Sequence, residues 1–146
     1  MAARTTELTS TDRIRRSNVQ LMSSVDAIIT ELFQALDSKD VDRICAVLAD
    51  DSAMVDEITK GWMFGSETVR AHLESTLSNV DSISSTVRDL RVRDRGQFAT
   101  ATCTLDQTYR FGGEQVDVVA PTSFSLELTS GEWKIVQMHS VPLGDA

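Results

Sequence analysis

The chain is poor in cysteine, histidine and positive charge, and each shortage excludes something. Cys45 and Cys103 are the two cysteines among 146 residues, and they make no CxxC pair. They build no disulfide framework, which predicts a reduced, cytoplasmic protein. The two histidines, His72 and His139, stand among scattered carboxylates without ligand spacing, so neither a metal nor another cofactor is expected. Apolar runs stay short of a membrane span, and the opening segment lacks the apolar stretch of a secretory signal. Basic residues number 14 against 22 acidic, a net charge of −8. Residues 1–16 carry +2 and the remainder −10. So acidic a body repels phosphate backbones and anionic lipid, which excludes nucleic acid and membrane as partners. What is present is globular: 41% hydrophobic and 25% charged residues. One domain over 17–146 is expected, preceded by a flexible, Ser/Thr-rich arm over 1–16.

Helical periodicity over 17–37 places Val25, Ile28, Ile29, Leu32, Phe33 and Leu36 on one stripe. Asp40 reads as the N-cap of a second helix through Val47 and Leu48 that ends at Asp50-Asp51. A short strand is expected over 53–58, a turn at Lys60-Gly61, and a second strand through Trp62, Met63 and Phe64. Ser66 then caps a third helix to about Leu77. From Ile83 the pattern has period two, giving strands over 83–93, 97–111, 114–128 and 132–141. Apolar parity switches between Val87 and Leu90, which predicts a β-bulge near Arg88-Asp89. Arg88, Arg91, Arg93 and Arg95 alternate with acids and read as a solvated strand edge. Three helices and a run of long strands make an α+β fold with the helices on one face of a curved sheet.

Loops fix strand pairing, so the inner face can be worked out. Gly112-Gly113 is a two-residue hairpin signal. It sets Tyr109 opposite Val116, Gln107 opposite Val118, Leu105 opposite Ala120, Cys103 opposite Thr122 and Ala101 opposite Phe124. A loop at Ser130-Gly131 sets Leu128 opposite Trp133 and Leu126 opposite Ile135. Continued without a break, it sets Phe124 opposite Gln137 and Thr122 opposite His139. Cys103, Thr122 and His139 would then form a row across three strands on an apolar inner face. Pro121 cannot donate to a ladder, so a distortion is expected there. Val119, Val136 and Met138 point outward in this register, which predicts a homodimer through the outer sheet face.

The segments ALDSKDVDRICAVLADDSAMVDE (35–57), GSETVRAHL (65–73) and GEWKIVQMHSVPL (131–143) carry a resemblance to the nuclear transport factor 2-like superfamily, in its SnoaL-like branch. The resemblance covers about residues 20–143. It implies a cone-shaped, mixed curved sheet wrapped around three helices, a cystatin-like α+β barrel with an internal pocket. Members include ketosteroid isomerases, polyketide cyclases, dehydratases, epoxide hydrolases and the kinase II association domain. Asp56 falls on the isomerases' catalytic base. Their oxyanion tyrosine falls on Leu32 and their protonated acid on Thr122. Similar tails carry two histidines at alternate positions of the last strand. Here they fall on Gln137 and His139.

The expected catalytic pair is therefore Asp56 and His139, moving a proton on an apolar, carbonyl-bearing small molecule. A carboxylate beside an apolar lining loses hydration, which makes it a better base. His139 would donate to the developing oxygen. Cys103, Gln107, Tyr109 and Thr122 are candidate substrate contacts, with Phe124, Gln137 and Trp62. Each has a structural alternative. Tyr109 and Gln107 also read as rim residues, Cys103 as a buried thiol, His139 as a satisfied core histidine, and Asp56 as a solvated strand end. Trp62, Met63 and Phe64 cap the pocket or pack as core, and His72 reads as a surface residue. Two functions stand side by side. One is a cofactor-independent isomerase, cyclase or lyase; the other is a non-catalytic ligand-binding or oligomerisation module.

Overall fold

The computed structural model describes residues 24–56 and 60–143. The arm over 1–16, the start of the first helix at 17 and the predicted strand end at Ile58 lie outside the described residues. Helix α1 spans Val25–Asp37, capped by the Ser24 side chain, which accepts from the Ala27 amide at 3.3 Å. Helix α2 spans Val41–Ala46, and Asp40 caps it through the Arg43 amide at 3.2 Å. Strands β1 (Leu48–Asp56) and β2 (Gly61–Phe64) follow, then helix α3 (Ser66–Leu77). Strands β3 (Ser82–Asp94), β4 (Phe98–Phe111), β5 (Glu114–Thr129) and β6 (Glu132–Ser140) complete the chain.

Several strand ends differ from the sequence expectation by one residue, and two boundaries differ in ways that bear on the site. Leu48 opens β1 instead of closing α2, because it pairs in parallel with Ile135 of β6. Tertiary pairing overrides the local helical pattern there. The cap of α3 is Gly65 instead of Ser66. Gly65 sits at φ +88°, where an L side chain is strained. Its amide donates to Ser52 O at 2.7 Å and its carbonyl accepts from Val69 at 3.2 Å, pinning the helix start to β1.

The six strands run β2-β1-β6-β5-β4-β3 in one curved sheet. Among the described residues β2 and β3 have no outer neighbour, so the sheet stays open and does not close into a barrel. All neighbours are antiparallel except β1 and β6. The register through Gly112-Gly113 is as expected, from Phe111↔Glu114 to Ala101↔Phe124, with both glycines at positive φ. The bulge in β3 falls between Arg88 and Arg91, with Asp89 at φ +54°. Arg88 is paired, its guanidinium gripping both carboxylate oxygens of Asp106.

The distortion expected at Pro121 is absent. Thr104 pairs with Pro121 without a shift. The Pro121 carbonyl accepts from Val141, beyond the last residue of β6, so the missing N–H also faces that side and interrupts no β4–β5 bond. The shift lies instead on β6, between Leu126↔Ile135 and Ser125↔Gln137. Val136 is the extra residue. A one-residue slip inverts every side chain beyond it. Met138 and Ser140 therefore point inward, while Gln137 and His139 point outward beside Ser125 and Ser123.

Inside the sheet, α1 buries Val25, Ile28, Ile29, Leu32 and Phe33. They share one buried core with Leu126, Phe124, Trp133 and Ile135, and Phe33 and Phe124 lie edge to face at 6.2 Å between centroids. Each fully buried aliphatic side chain contributes about 1.5–3 kcal/mol. No described helix is long and apolar enough to cross a membrane.

Candidate functional site

Packing fills one end of this interior and leaves the other open. A cavity of about 600 Å³ lies between α1, α3 and the later halves of β1, β4 and β6. Its wall is mostly apolar, with Leu36, Met54, Met63, Leu73, Ile83 and Met138 among its residues. A concave, apolar space of this size with a few polar groups is how small-molecule sites are built.

The polar groups gather in two places. At the end of β1, Asp56 faces the cavity and is only 8% exposed. Its Oδ2 lies 3.8 Å from Nδ1 of His72 on α3. On the other side of that ring, Nε2 lies 3.4 Å from the Thr76 hydroxyl. Across the cavity, β4 presents Gln107 and Tyr109. The Tyr109 hydroxyl donates to Gln107 Oε1, and Gln107 Nε2 donates to Ser85 Oγ at 3.0 Å. These two bonds fix the amide's orientation and leave Gln107 a second N–H.

The sequence-predicted residues divide accordingly. Asp56, Gln107 and Tyr109 line the cavity. Cys103, Thr122 and Phe124 are buried in the packed end. Burial pushes the Cys103 thiol up from its ordinary range, the opposite of an activated nucleophile. Thr122 donates to Ala120 O at 3.0 Å and lies 2.9 Å from Ser140 Oγ, so its proton is spent on the backbone. Leu32 gives the cavity an apolar wall. Neither it nor Thr122 supplies an oxyanion donor. Gln137 and His139 are exposed on the outer face. The His139 ring sits 6.4 Å from that of Trp62, which stacks on Phe64. Trp62 is 49% exposed and stays outside the lining. Met63 alone of that strand's three large residues reaches the cavity.

A profile of the SnoaL-like domain matches residues 25–143, a span that contains every described helix and strand. The chain belongs to the SnoaL-like family. Solved structures share its fold at low identity. An NTF2-like protein from Pseudomonas putida is 20% identical, with a TM-score of 0.75 over 86% of this chain and 89% of its own. A ketosteroid isomerase-like protein from Erwinia carotovora atroseptica is 13% identical, with a TM-score of 0.73 over 85% and 97%. The S. rosetta CaMKII hub is 16% identical, with a TM-score of 0.72 over 82% and 94%. No curated protein matches the sequence.

In this SnoaL-like chain the residue that sequence reasoning missed is His72. Its signal was present. Val69, His72, Leu73, Thr76 and Leu77 fall at i, i+3, i+4, i+7 and i+8, so His72 and Thr76 belong to the stripe of α3 that faces the cavity, where both are half-buried. Outward residues of that helix, such as Glu67 and Glu74, are exposed. A histidine inside an apolar stripe faces the interior whatever its polarity.

Proposed function

We propose that this SnoaL-like protein binds a small apolar molecule carrying a carbonyl and moves a proton on it, with Asp56 as base and His72 as its partner. The observation that carries the reading is Asp56 in the cavity wall, 3.8 Å from an imidazole nitrogen. Asp56 takes a proton from the carbon beside the carbonyl; the C–H electron pair becomes a C=C bond and the C=O π pair moves onto oxygen, giving an enolate. The second N–H of Gln107 is the donor for that oxygen. Return of the proton to another carbon completes an isomerisation. Loss of a β-leaving group would instead complete an elimination. His72 replaces His139 in this scheme, because the bulge at Val136 turns His139 out of the interior. The test is exchange of α-hydrogens in D2O on a carbonyl ligand recovered with the protein and identified by mass spectrometry. Exchange that is rapid with wild type and lost by at least about 100-fold in Asp56→Asn, at unchanged ligand affinity, supports the base. Full exchange in Asp56→Asn overturns it and leaves a non-catalytic binding module.

A second copy is the proposed macromolecular partner. Exposed Trp62, Phe64 and Val119 favour pairing through the sheet's outer side. Met138, expected in that surface, faces the cavity instead. Light scattering should give a dimer mass at micromolar concentration; a monomer throughout that range contradicts the pairing.

A further inference from the structure

Three methionines stand in one row across the sheet. Met54 of β1 pairs with Met63 of β2 on one side and with Met138 of β6 on the other. All three line the cavity. Beyond β6 the row ends on Phe124, which pairs with Met138 and is buried. At the packed end, β1, β6 and β5 set Leu48, Ile135 and Leu126 in a row of their own. Branched aliphatic side chains thus fill the interior where it is closed, and unbranched thioethers face it where it is open.

A thioether differs from an aliphatic side chain of the same size in a respect that a ligand can read. Its sulfur is polarisable and makes favourable contacts with aromatic rings, at about 5 Å and often toward the ring edge. Neighbouring strands lie about 4.8 Å apart, so a row over three strands spans about 10 Å. That width offers sulfur across the whole of a ring. Phe33, Tyr109 and Phe111 stand on the cavity's other walls, and aromatic side chains pack on a ring edge to face or offset. A saturated ring gains neither contact.

The register also sets the ring's place relative to the base. Asp56 follows Met54 by two residues on β1, and both line the cavity. Its side chain therefore leaves the same face of the strand about 7 Å further along. In an aryl ketone the carbon that loses the proton lies two bonds beyond the ring. With the ring on the methionines, that carbon falls between ring and carboxylate, which leaves the separation of about 3–3.5 Å that a reacting contact requires.

We infer that Met63, Met54 and Met138 form a sulfur platform that selects an aromatic ring, so that the substrate is an aryl ketone with its acidic carbon beside Asp56. This rests on the reading of the cavity as a carbonyl-binding site with Asp56 as base. The methionines take no part in proton transfer. They determine which ketones are held in place for it.

Acetophenone and cyclohexyl methyl ketone test the platform, because they share the carbonyl and its methyl group and differ in the saturation of the ring. Hydrophobic burial alone favours the saturated ring, which has the larger apolar surface. Amide chemical-shift titrations of the full-length protein should nevertheless give acetophenone the tighter Kd, by at least about threefold. Met54→Leu, Met63→Leu and Met138→Leu together keep the volume and remove the sulfur. In that variant the preference should vanish through weaker acetophenone binding, with the affinity for cyclohexyl methyl ketone held within about twofold. If the triple variant unfolds, protein carrying norleucine in place of every methionine keeps the side-chain length and should lose the preference in the same way. Equal wild-type affinity for the two ketones, tighter binding of the saturated one, binding of neither, or a preference that survives loss of the sulfurs overturns the platform. Failure of the acid–base reading is seen separately. The acetophenone methyl hydrogens then exchange in D2O as fast with Asp56→Asn as with wild type, while the preference for the aromatic ring, a binding measurement, persists.

Discussion

The same strands line two unlike ends of one interior. In its first half β4 buries Ala99, Ala101 and Cys103, opposed by Leu126, Phe124 and Thr122 of β5. Trp133 and Ile135 of β6 close that end against α1. In its second half β4 presents Leu105, Gln107 and Tyr109, and the space before them stays open. Met138 and Ser140 of β6 and Met54 and Asp56 of β1 complete the far wall. Small residues and large aromatics interdigitate at one end, whereas polar groups and flexible methionines surround a void at the other. Stability is concentrated where the side chains mesh, and chemistry is available where they do not. The candidate site is thus the part of the core that the chain leaves unpacked.

Truncation should separate the two ends. Phe124→Ala removes a ring that meets Phe33 edge to face and should lower unfolding stability by about 3–5 kcal/mol. Urea denaturation reads that loss. Met54→Ala removes a side chain already facing open space. It should cost about 1 kcal/mol or less, because fewer packed neighbours lose contacts. The same variant should change ligand affinity, which Phe124→Ala should do only through stability. Equal losses at both positions would erase the distinction between the ends.

The fold was legible wherever a local signal fixed the geometry. Gly112-Gly113 set the β4–β5 register, and strict alternation from Ala99 to Tyr109 kept it. The parity switch from Val87 to Leu90 marks the β3 bulge in the sequence itself. The same criterion applied to β6 reveals the second bulge, since the inward residues pass from Trp133 and Ile135 to Met138 and Ser140. That switch is weaker because Val136 is apolar and Ser140 is polar, so hydrophobicity alone does not mark the inner side. A β6 register without that bulge places His139 inside, and with it half of the expected catalytic pair, whereas the bulge sets it on the outer surface. His72 was hidden by its type, as a polar residue on a helix is ordinarily a surface residue. Only the spacing with Val69, Leu73 and Leu77 shows otherwise. Asp56 could be placed by resemblance, but its partner depends on α3 crossing the end of β1, and no local pattern encodes that.

Methionine methyl groups give the most direct test of where a ligand sits. Of the five methionines in the sequence, Met54, Met63 and Met138 line the cavity, and His139 with Trp62 marks the outer face. Titrating 13C-methyl-methionine protein with a small apolar ketone should move the Met54, Met63 and Met138 signals together. The Trp62 indole should stay fixed. Shifts at Trp62 with the three cavity methyls unmoved would place the ligand on the outside of the sheet and contradict the account.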